Sequence, residues 1–235
     1  MTFEVHRFSH LPIQEQLLME EDLLRHKKGN YILLNTEAPP AIVLGISNKA
    51  DELIHLEHLP PSIPLVRRFS GGGTVIIDEE TVFVTFICNK SLHSFAPYPE
   101  PILRFAASML QKATPNLILR ENDFVIHDRK CGGNALYIKK DRWLVHTSFL
   151  WNYTQERMSL LKHPSKTPPY RAGRSHDEFL CKLADLLPCK KRWIDDLEAS
   201  FLPDQKLPEV NDVGKKFRFH DRVTDSIHMD KKRAD

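Results

Sequence analysis

The sequence predicts an α+β domain in which a mixed, mainly antiparallel sheet is flanked by helices. Its elements follow the order helix, five or six strands with one helix among them, and then further helices. This order lacks the regular alternation of strand and helix that is typical of a parallel α/β sheet. The stretch KKDR at 139–142 also predicts a tight hairpin turn, which joins antiparallel neighbours. We therefore expect one sheet with its helices on one face.

The first elements are predicted from apolar periodicity. Residues 13–26 place apolar side chains three and four positions apart, and Pro12 precedes them, which indicates a helix. Short β-branched runs at 29–36 and 39–47 indicate two strands joined by a proline-rich turn. A connector with one helical turn is expected over 50–64.

The later elements are predicted in the same way. Within 65–78, strand-like residues precede and follow a glycine run. The remaining predictions are a strand covered on both faces at 81–89, a helix at 99–113, strands at 123–127 and 134–151, and helices at 176–187 and 192–202.

Composition narrows the class of protein. The 235 residues, 41% of them hydrophobic, suit one large domain or one domain with a small appendage. Lys and Arg number 33 against 31 Asp and Glu, a formal net charge of +2, which gives no basic footprint for nucleic acid. No apolar run approaches the ~18 residues that a membrane span needs. We expect no nucleic-acid or membrane partner and a cytoplasmic location, and leave an organellar one open.

The four cysteines, Cys88, Cys131, Cys181 and Cys189, form no C-x-x-C pair. In a chain of this length they are expected to be reduced thiols rather than a disulfide framework. The lack of a close pair of soft ligands also argues against a zinc site.

Three of the nine glycines stand together in RRFSGGGTV at 67–75. Glycines there can serve a tight turn or bulge. Alternatively, the bare backbone can approach an anionic ligand, with its N–H groups and an arginine donating hydrogen bonds. The run is neither a P-loop nor a dinucleotide fingerprint, because G-K-[ST] and G-x-G-x-x-G are both absent.

A second glycine-rich basic turn lies within 121–150. Lys130 precedes Gly132 and Gly133, and such a lysine can be a solvated turn residue or place a positive charge on a carboxylate or phosphate. Asp123 can hold Mg²⁺ or cap a turn together with Asn122. His146 lies on a predicted strand and is either a hydrogen-bonded core residue or a catalytic one.

These residues resemble a known family. RRFSGGGTVIID at 67–78, NDFVIHDRKCGGNA at 122–135 and HTSFLW at 146–151 are similar to the motifs of lipoate–protein ligases, in the biotin/lipoate ligase superfamily. PPAIVLGISN at 39–48 and the opening helix resemble the family's upstream strand and helix. The resemblance runs from about residue 12 to about residue 170, and it implies the class II synthetase-like fold of that superfamily.

The resemblance implies a function. A lipoate ligase uses ATP, with Mg²⁺, to convert lipoate or octanoate to acyl-AMP, and passes the acyl group to one lysine of a lipoyl domain. Two anions must meet in the first step, so positive charge and N–H donors are needed there. The acceptors implied are lipoyl domains of 2-oxoacid dehydrogenase acyltransferase subunits or the glycine-cleavage H protein.

The resemblance also implies the roles of individual residues. Lys130 corresponds to the catalytic lysine, Arg68 rather than Arg67 to the phosphate-side arginine, and Asn122 with Asp123 to the nucleotide-binding pair, Asp123 also being the Mg²⁺ candidate. The other residues expected to bind lipoyl-AMP are Ser70, Gly71, Gly72, Gly73, Thr74, Gly132, Gly133, Asn134, Ala135 and His146. Val75, Ile77, Val84 and Phe86 are expected either to line an acyl slot or to belong to the core.

The sequence departs from the family at three points, one of which is VIIDEE at 75–80, where a histidine that the family has after the strand is absent. The turn before Lys130 contains His127 and Asp128, where the family often has Asp-Gly and a positive φ is expected. About 60 residues follow Ser175, fewer than the family's usual accessory domain. We expect residues 1–175 to form the catalytic domain and 176–235 a helical extension packed on it, with a frayed end. Whether the chain works with a separate accessory protein therefore stays an open question.

Three alternatives remain. The first is an octanoyl or lipoyl transferase that acts through a cysteine, with Cys131 beside Lys130 as the candidate, and needs no ATP. The second is a biotin ligase, although RRFSGGG differs from the usual glycine loop of that family. The third is a non-catalytic module that binds a lipoyl domain.

Overall fold

A seven-stranded sheet and a smaller three-stranded sheet organise the computed structural model, which describes residues 2–163 and 167–202. The strands are β1 (Glu4–Ser9), β2 (Tyr31–Thr36), β3 (Ala41–Leu44), β4 (Leu65–Arg67), β5 (Val75–Ile77), β6 (Thr81–Asn89), β7 (Ile118–Arg120), β8 (Asp123–Ile126), β9 (Arg129–Ile138) and β10 (Arg142–Leu150). The α-helices are α1 (Ile13–His26), α2 (Ala50–Leu53), α3 (Pro99–Leu110), α4 (Gln155–Met158), α5 (His176–Phe179) and α6 (Lys190–Phe201).

Both sheets are mixed. The larger sheet has the order β1-β2-β6-β10-β9-β8-β7, and the smaller has the order β4-β3-β5. Strands β1 and β2 run parallel, as do β3 and β4, and every other pair within the described residues is antiparallel. The predicted α+β class with a mainly antiparallel sheet is therefore confirmed.

Helices cover both faces of the larger sheet, so the expectation of helices on one face was wrong. Tyr31 and Leu33 of β2 pack with α1 residues such as Leu23, whereas Ile32 and Leu34 pack with residues of α3 and α6. The reason is the alternation of side chains along a strand, since β2 is apolar on both faces and each face must be buried. Strand β6 is covered on both faces as predicted, with all but Asn89 buried.

The sequence missed two edge strands and overextended one helix. Strands β1 and β7 lie at the two ends of the larger sheet and were not predicted. Residues 176–187, predicted as a helix, form the single turn α5 and a short 3₁₀ turn at Leu183–Asp185. Between them Leu180 pairs with Lys130 in a parallel bridge, which requires extended backbone.

Helix α6 contributes to the main core and ends one residue before the last described residue, 202. Trp193, Leu197 and Phe201 pack in the cluster beneath the sheet, and the Trp193 indole donates to Thr114 Oγ1 at 2.9 Å. The predicted extension beyond this helix, 203–235, lies outside the described residues. No helix among the described residues is long and apolar enough to cross a membrane.

Truncation of a buried α6 side chain is expected to destabilise the whole domain. Leu197 is fully buried in the main cluster, so Leu197→Ala should lower the free energy of unfolding by about 2–5 kcal/mol through lost transfer energy and a cavity. Urea denaturation followed by tryptophan fluorescence measures this change. The exposed neighbour Arg192 provides the control, since Arg192→Ala should have little effect. A second, separate unfolding transition would contradict a shared core.

Candidate functional site

The two glycine motifs meet at one cavity of about 970 Å³. A volume of this size is at the upper end for small-molecule sites in proteins. The predicted site residues that line it are Arg68, Gly71, Gly72, Gly73, Thr74, Asn122, Asp123, Lys130, Gly133, Asn134, Ala135 and His146. Ser70 and Gly132 do not line it.

Arg68 binds the glycine loop from inside. Its Nη2 donates to the carbonyl oxygens of Gly71 at 2.9 Å and Gly73 at 2.7 Å, and it is almost fully buried. Burial lowers the pKa of Arg68 to about 10, while Glu20 acts in the opposite direction. The guanidinium therefore fixes the loop's carbonyls, and Arg67 similarly donates to carbonyls of Gly45, Ile46 and Asn48.

Only one of the three glycines in the loop is required by the protein itself. Gly72 has a φ of +105°, and an added Cβ would lie 2.9 Å from Arg68 Nη2. At Gly71 and Gly73 an added Cβ would meet no atom within 4 Å, and neither has a positive φ. These two positions border open cavity. The fold does not require glycine there, but the absence of side chains leaves space in which a ligand could lie.

A β-bulge directs Lys130 into the cavity. Asp123 pairs with Gly133 and Phe124 with Gly132, but Val125 pairs with Lys130, so Cys131 is the extra residue. Such a bulge changes which face the following side chains occupy. Cys131 belongs to the main core on the far face, whereas Lys130 lies over Gly133, where an added Cβ would be 3.4 Å from Nζ.

Asp123 connects Lys130 to the segment that follows β10. Its Oδ1 lies 2.8 Å from Lys130 Nζ, and its Oδ2 accepts a hydrogen bond from the Tyr170 hydroxyl at 2.8 Å. Burial, followed by the charge of Asp123, raises the pKa of Tyr170. Both carboxylate oxygens of Asp123 are thus engaged within the protein.

Asp123 does not belong to a group of three metal-ligating side chains among the described residues. Among the described residues, the group whose side chains could jointly hold a metal is His55, Glu57 and His58, on the connector after α2. Asp123 is a single carboxylate, and it already binds an ammonium and a hydroxyl group. The Mg²⁺ role of Asp123 stays a prediction.

The remaining polar residues at the two motifs support the loops. Asn134 Nδ2 donates to the carbonyl of Asn122 at 2.9 Å, and its Oδ1 accepts from Thr147 at 2.5 Å. Asn48 Nδ2 donates to the Gly72 carbonyl at 3.0 Å and to Thr74 Oγ1 at 3.2 Å. The bonds of Asn134 brace the motif that contains Lys130, and those of Asn48 brace the glycine loop.

Gly132 and the turn before Lys130 have structural roles. Gly132 faces the core, where an added Cβ would lie 3.1 Å from both Phe149 and Thr147. In the turn the positive φ, 57°, falls at His127 rather than at Asp128. The glycine that this family often has there is therefore not needed at Asp128 for a left-handed backbone.

His146 is part of a buried polar network. Its Nδ1 lies 3.0 Å from Glu20 Oε2, and its Nε2 lies 3.4 Å from Ser70 Oγ. Glu20 Oε1 accepts from Thr85 at 2.5 Å and from Gln16 at 3.1 Å, and Glu20 is fully buried. Ser70 is therefore placed behind the cavity wall, where it contacts the ring that lines the cavity.

Sequence reasoning missed Arg171, which lines the cavity, and two residues that support its wall, Glu20 and Tyr170. Glu20 lies in MEED, which reads as a charged helix surface, and Tyr170 and Arg171 lie in a segment without a motif. The apolar lining near His146 comes from Val43, Phe83 and the predicted Val75. Ile77 belongs to the core, and Val84 and Phe86 pack on the far face of the sheet, so these three do not form a slot.

No cysteine among the described residues lines the cavity. Cys131 is fully buried on the opposite face, and burial raises the pKa of its thiol. Burial raises the pKa of Cys88 to about 12, and burial also raises the pKa of Cys181. Cys189, the exposed one, precedes α6.

The geometry agrees with a comparison against protein families. The profile of the lipoyl protein ligase A/B catalytic domain matches residues 12–203. The chain belongs to this family. The predicted resemblance is confirmed, and the biotin ligase alternative is not favoured.

Curated relatives of this ligase family include two longer proteins. The inactive lipoate–protein ligase 2 of Plasmodium falciparum is 26% identical over 71% of this chain, and the lipoate-protein ligase LplJ of Bacillus subtilis is 24% identical over 91%. The chain spans 59% and 65% of their respective lengths.

Solved lipoate ligases share the fold. A bipartite lipoate protein ligase studied with its E2 lipoyl domain, from Thermoplasma acidophilum, has a TM-score of 0.70 at 17% identity, with 86% of this chain and 82% of that chain covered. A lipoate-protein ligase A bound with ATP has a TM-score of 0.69 at 16% identity, over 86% and 84% of the two chains. The lipoate ligase-like fold is therefore confirmed.

The glycines of the loop should differ in their effect on stability. Gly72→Ala combines a positive φ with a close contact to Arg68, and should cost about 1–3 kcal/mol of unfolding free energy. Gly71→Ala meets open space and should leave the melting temperature close to that of the wild type. Thermal unfolding of both variants measures the difference. Equal destabilisation would contradict the assignment of Gly72 as the strained position.

Proposed function

We propose that this chain is a lipoate–protein ligase that activates lipoate, or octanoate, with ATP and transfers the acyl group to a lysine of a lipoyl domain. The observation that carries the proposal is the position of Lys130. Its ammonium group lies over Gly133 on the wall of the cavity that the Arg68-braced glycine loop also borders. A positive charge and bare backbone at one cavity suit a junction between a carboxylate and a phosphate.

In the proposed first step, Lys130 offsets the repulsion between two anions. A carboxylate oxygen of the acid attacks the α-phosphorus, and the bond from that phosphorus to the oxygen of the β-phosphate breaks. Lys130 and the N–H groups of the loop stabilise the charge that develops on the phosphoryl oxygens. Asp123 would keep the ammonium directed at this point through its ion pair.

The acyl chain is proposed to occupy the apolar end of the cavity. Val43, Val75 and Phe83 line this end, and Arg68 and His146 lie beside it. Burial of each methylene group from water contributes about 0.8 kcal/mol, which favours a medium-length acyl chain there. The side chain of Lys130 is partly exposed, so a carboxylate placed beside it would be accessible to the nucleotide.

In the proposed second step, the amine of an acceptor lysine attacks the acyl carbonyl and AMP leaves. The acceptor is a lipoyl domain of a 2-oxoacid dehydrogenase acyltransferase subunit or the H protein of glycine cleavage. The bipartite ligase from Thermoplasma acidophilum was studied with its E2 lipoyl domain, which supports this class of partner. Residues 1–175 would supply the motifs, and 176–202 would complete the cavity through His176, Phe179 and Leu180.

One relative of this chain is named inactive, so catalysis itself requires a test. A chain that only bound lipoyl domains would have no use for a lysine ion-paired at a cavity beside an open glycine loop. The retention of Lys130, Gly71 and Gly73 with open space around them favours activity over binding alone.

Replacement of Lys130 should abolish adenylation without unfolding the protein. Lys130→Ala should reduce lipoate-dependent ATP–pyrophosphate exchange by about 10²-fold or more, because the developing charge loses its partner. Lys140→Ala, in the exposed hairpin turn, is the matched control and should exchange like the wild type. Exchange by Lys130→Ala at the wild-type rate would show that the site is misassigned.

The chain alone, with a lipoyl-domain acceptor and mass detection, also tests whether both steps occur without an accessory protein. Exchange without acyl transfer would indicate that a partner is needed for the second step. Absence of exchange in the wild type, with lipoate binding retained, would overturn the ligase and favour a transferase or a binding module.

Removal of Cys131 should leave the reaction intact. The thiol is buried away from the cavity and its pKa is raised by burial, so it is a poor nucleophile. Cys131→Ala should retain ATP-dependent transfer near the wild-type rate, and no acyl-thioester should be trapped on the protein. Loss of transfer together with a thioester that is present only in the wild type would establish the cysteine mechanism instead.

A further inference from the structure

The segment after β10 returns to the cavity and closes part of its wall. Thr167, Pro168, Arg171, His176, Phe179 and Leu180 line the cavity. Tyr170 ties this segment to Asp123, and the backbone N–H of Cys181 donates to the Lys130 carbonyl at 2.8 Å. The segment is therefore fixed directly beside the lysine.

Arg171 is a buried cation of this wall without a carboxylate partner among the described residues. It is 4% exposed. Its Nε donates to the Arg174 carbonyl at 3.0 Å, its Nη2 donates to His163 Nε2 at 2.9 Å, and its Nη1 makes no hydrogen bond within the described residues. A buried guanidinium is costly unless its charge is compensated.

The acidic residues of the same region are engaged elsewhere. Asp123 binds Lys130 and Tyr170, and Glu121 accepts from the Tyr170 backbone N–H at 3.3 Å. Glu178 forms the capping box with Ser175 at the start of α5. Among the described residues, no carboxylate forms an ion pair with Arg171.

Arg171 stacks on the Phe179 ring at 4.9 Å, and the ionisable groups around it are mostly cationic. Burial lowers the pKa of Arg171, and nearby Arg174 lowers it further. Burial, Arg171 and His163 lower the pKa of His176, which also lines the cavity. A bound anion of high negative charge would offset the positive charge of these side chains.

We propose that Arg171 is a substrate-binding residue for the pyrophosphate portion of the nucleotide, the group that leaves when the acyl-adenylate forms. This inference rests on the proposed ligase function. Lys130 would act at the α-phosphoryl oxygens, and Arg171 would bind the β- and γ-phosphoryl oxygens. When the bond between the α-phosphorus and the bridging oxygen breaks, that oxygen keeps the electron pair, and Arg171 offsets the charge of the departing pyrophosphate.

Binding of inorganic pyrophosphate to the purified chain tests the proposal without turnover. Isothermal titration should give a dissociation constant that Arg171→Met raises by about tenfold or more, since hydrogen bonds to charged groups contribute roughly 1.5–3 kcal/mol. Arg171→Lys keeps the charge but loses the planar fork of donors. Its dissociation constant for pyrophosphate should therefore lie between those of the wild type and Arg171→Met.

Arg174→Met is the matched control for a loosened segment. Arg174 donates to the carbonyls of Asp128, Tyr170 and Arg171, so it holds the backbone of the segment, and it does not line the cavity. The Arg174→Met substitution should alter the melting temperature more than the affinity for pyrophosphate. Equal loss of affinity in Arg171→Met and Arg174→Met would mean that Arg171 only holds the segment in place, and would overturn the proposal.

Two kinetic readouts separate this proposal from the ligase function. Arg171→Met should raise the KM for ATP while leaving acyl transfer from pre-formed lipoyl-AMP unchanged. A wild-type chain that binds pyrophosphate but does not adenylate lipoate would refute the ligase and leave the anion site standing. A variant with the wild-type affinity for pyrophosphate and wild-type KM for ATP would refute the role of Arg171 alone.

Discussion

The ion pair between Asp123 and Lys130 is the interaction on which the arrangement of the cavity depends. The two side chains meet at 2.8 Å because a bulge between β8 and β9 brings Lys130 to the cavity face. Asp123 also holds Tyr170, and the Lys130 carbonyl holds Cys181. One carboxylate thus positions both the lysine and the segment that bears Arg171.

A second constraint is the low polarity of the interior behind the cavity. Arg68 and Glu20 are both buried, and charges there are stable only with partners. Arg68 satisfies three carbonyls of the loop and β3, and Glu20 accepts from Gln16, Thr85 and His146. The buried polar groups behind Val43 and Phe83 are therefore largely satisfied by the protein itself, whereas Gly71 and Gly73 border open cavity.

The sequence predicted the motifs well because each is local. The helix at 13–26, the 139–142 hairpin and the loop at Gly71–Gly73 depend on neighbouring residues, and the structure contains all three. Gly132 and Gly133, which were expected in a turn, instead lie within β9 because they pair with both neighbouring strands. The expectation of helices on one face was inconsistent with a strand covered on both faces, which needs a layer on each side. Strand β1, EVHRFS, was missed because an edge strand of polar residues lacks an apolar pattern.

The remaining site residues depend on long-range packing. Glu20 is a surface residue by its local sequence and becomes a buried acceptor only because α1 packs over Thr85 and His146. Arg171 carries no motif, and its position follows from the return of the chain to β9. The apparent helix at 176–187 reflects apolar residues that pack in two different clusters, not one helical face.

The most direct test of this account is a crystal structure of the chain with a non-hydrolysable sulfamate analogue of lipoyl-AMP. The account predicts that the sulfamate lies between Lys130 Nζ and the N–H groups of the glycine loop, with the acyl chain beside Val43 and Phe83. An analogue bound elsewhere, or with its sulfamate beyond hydrogen-bond reach of Lys130, would contradict the central assignment.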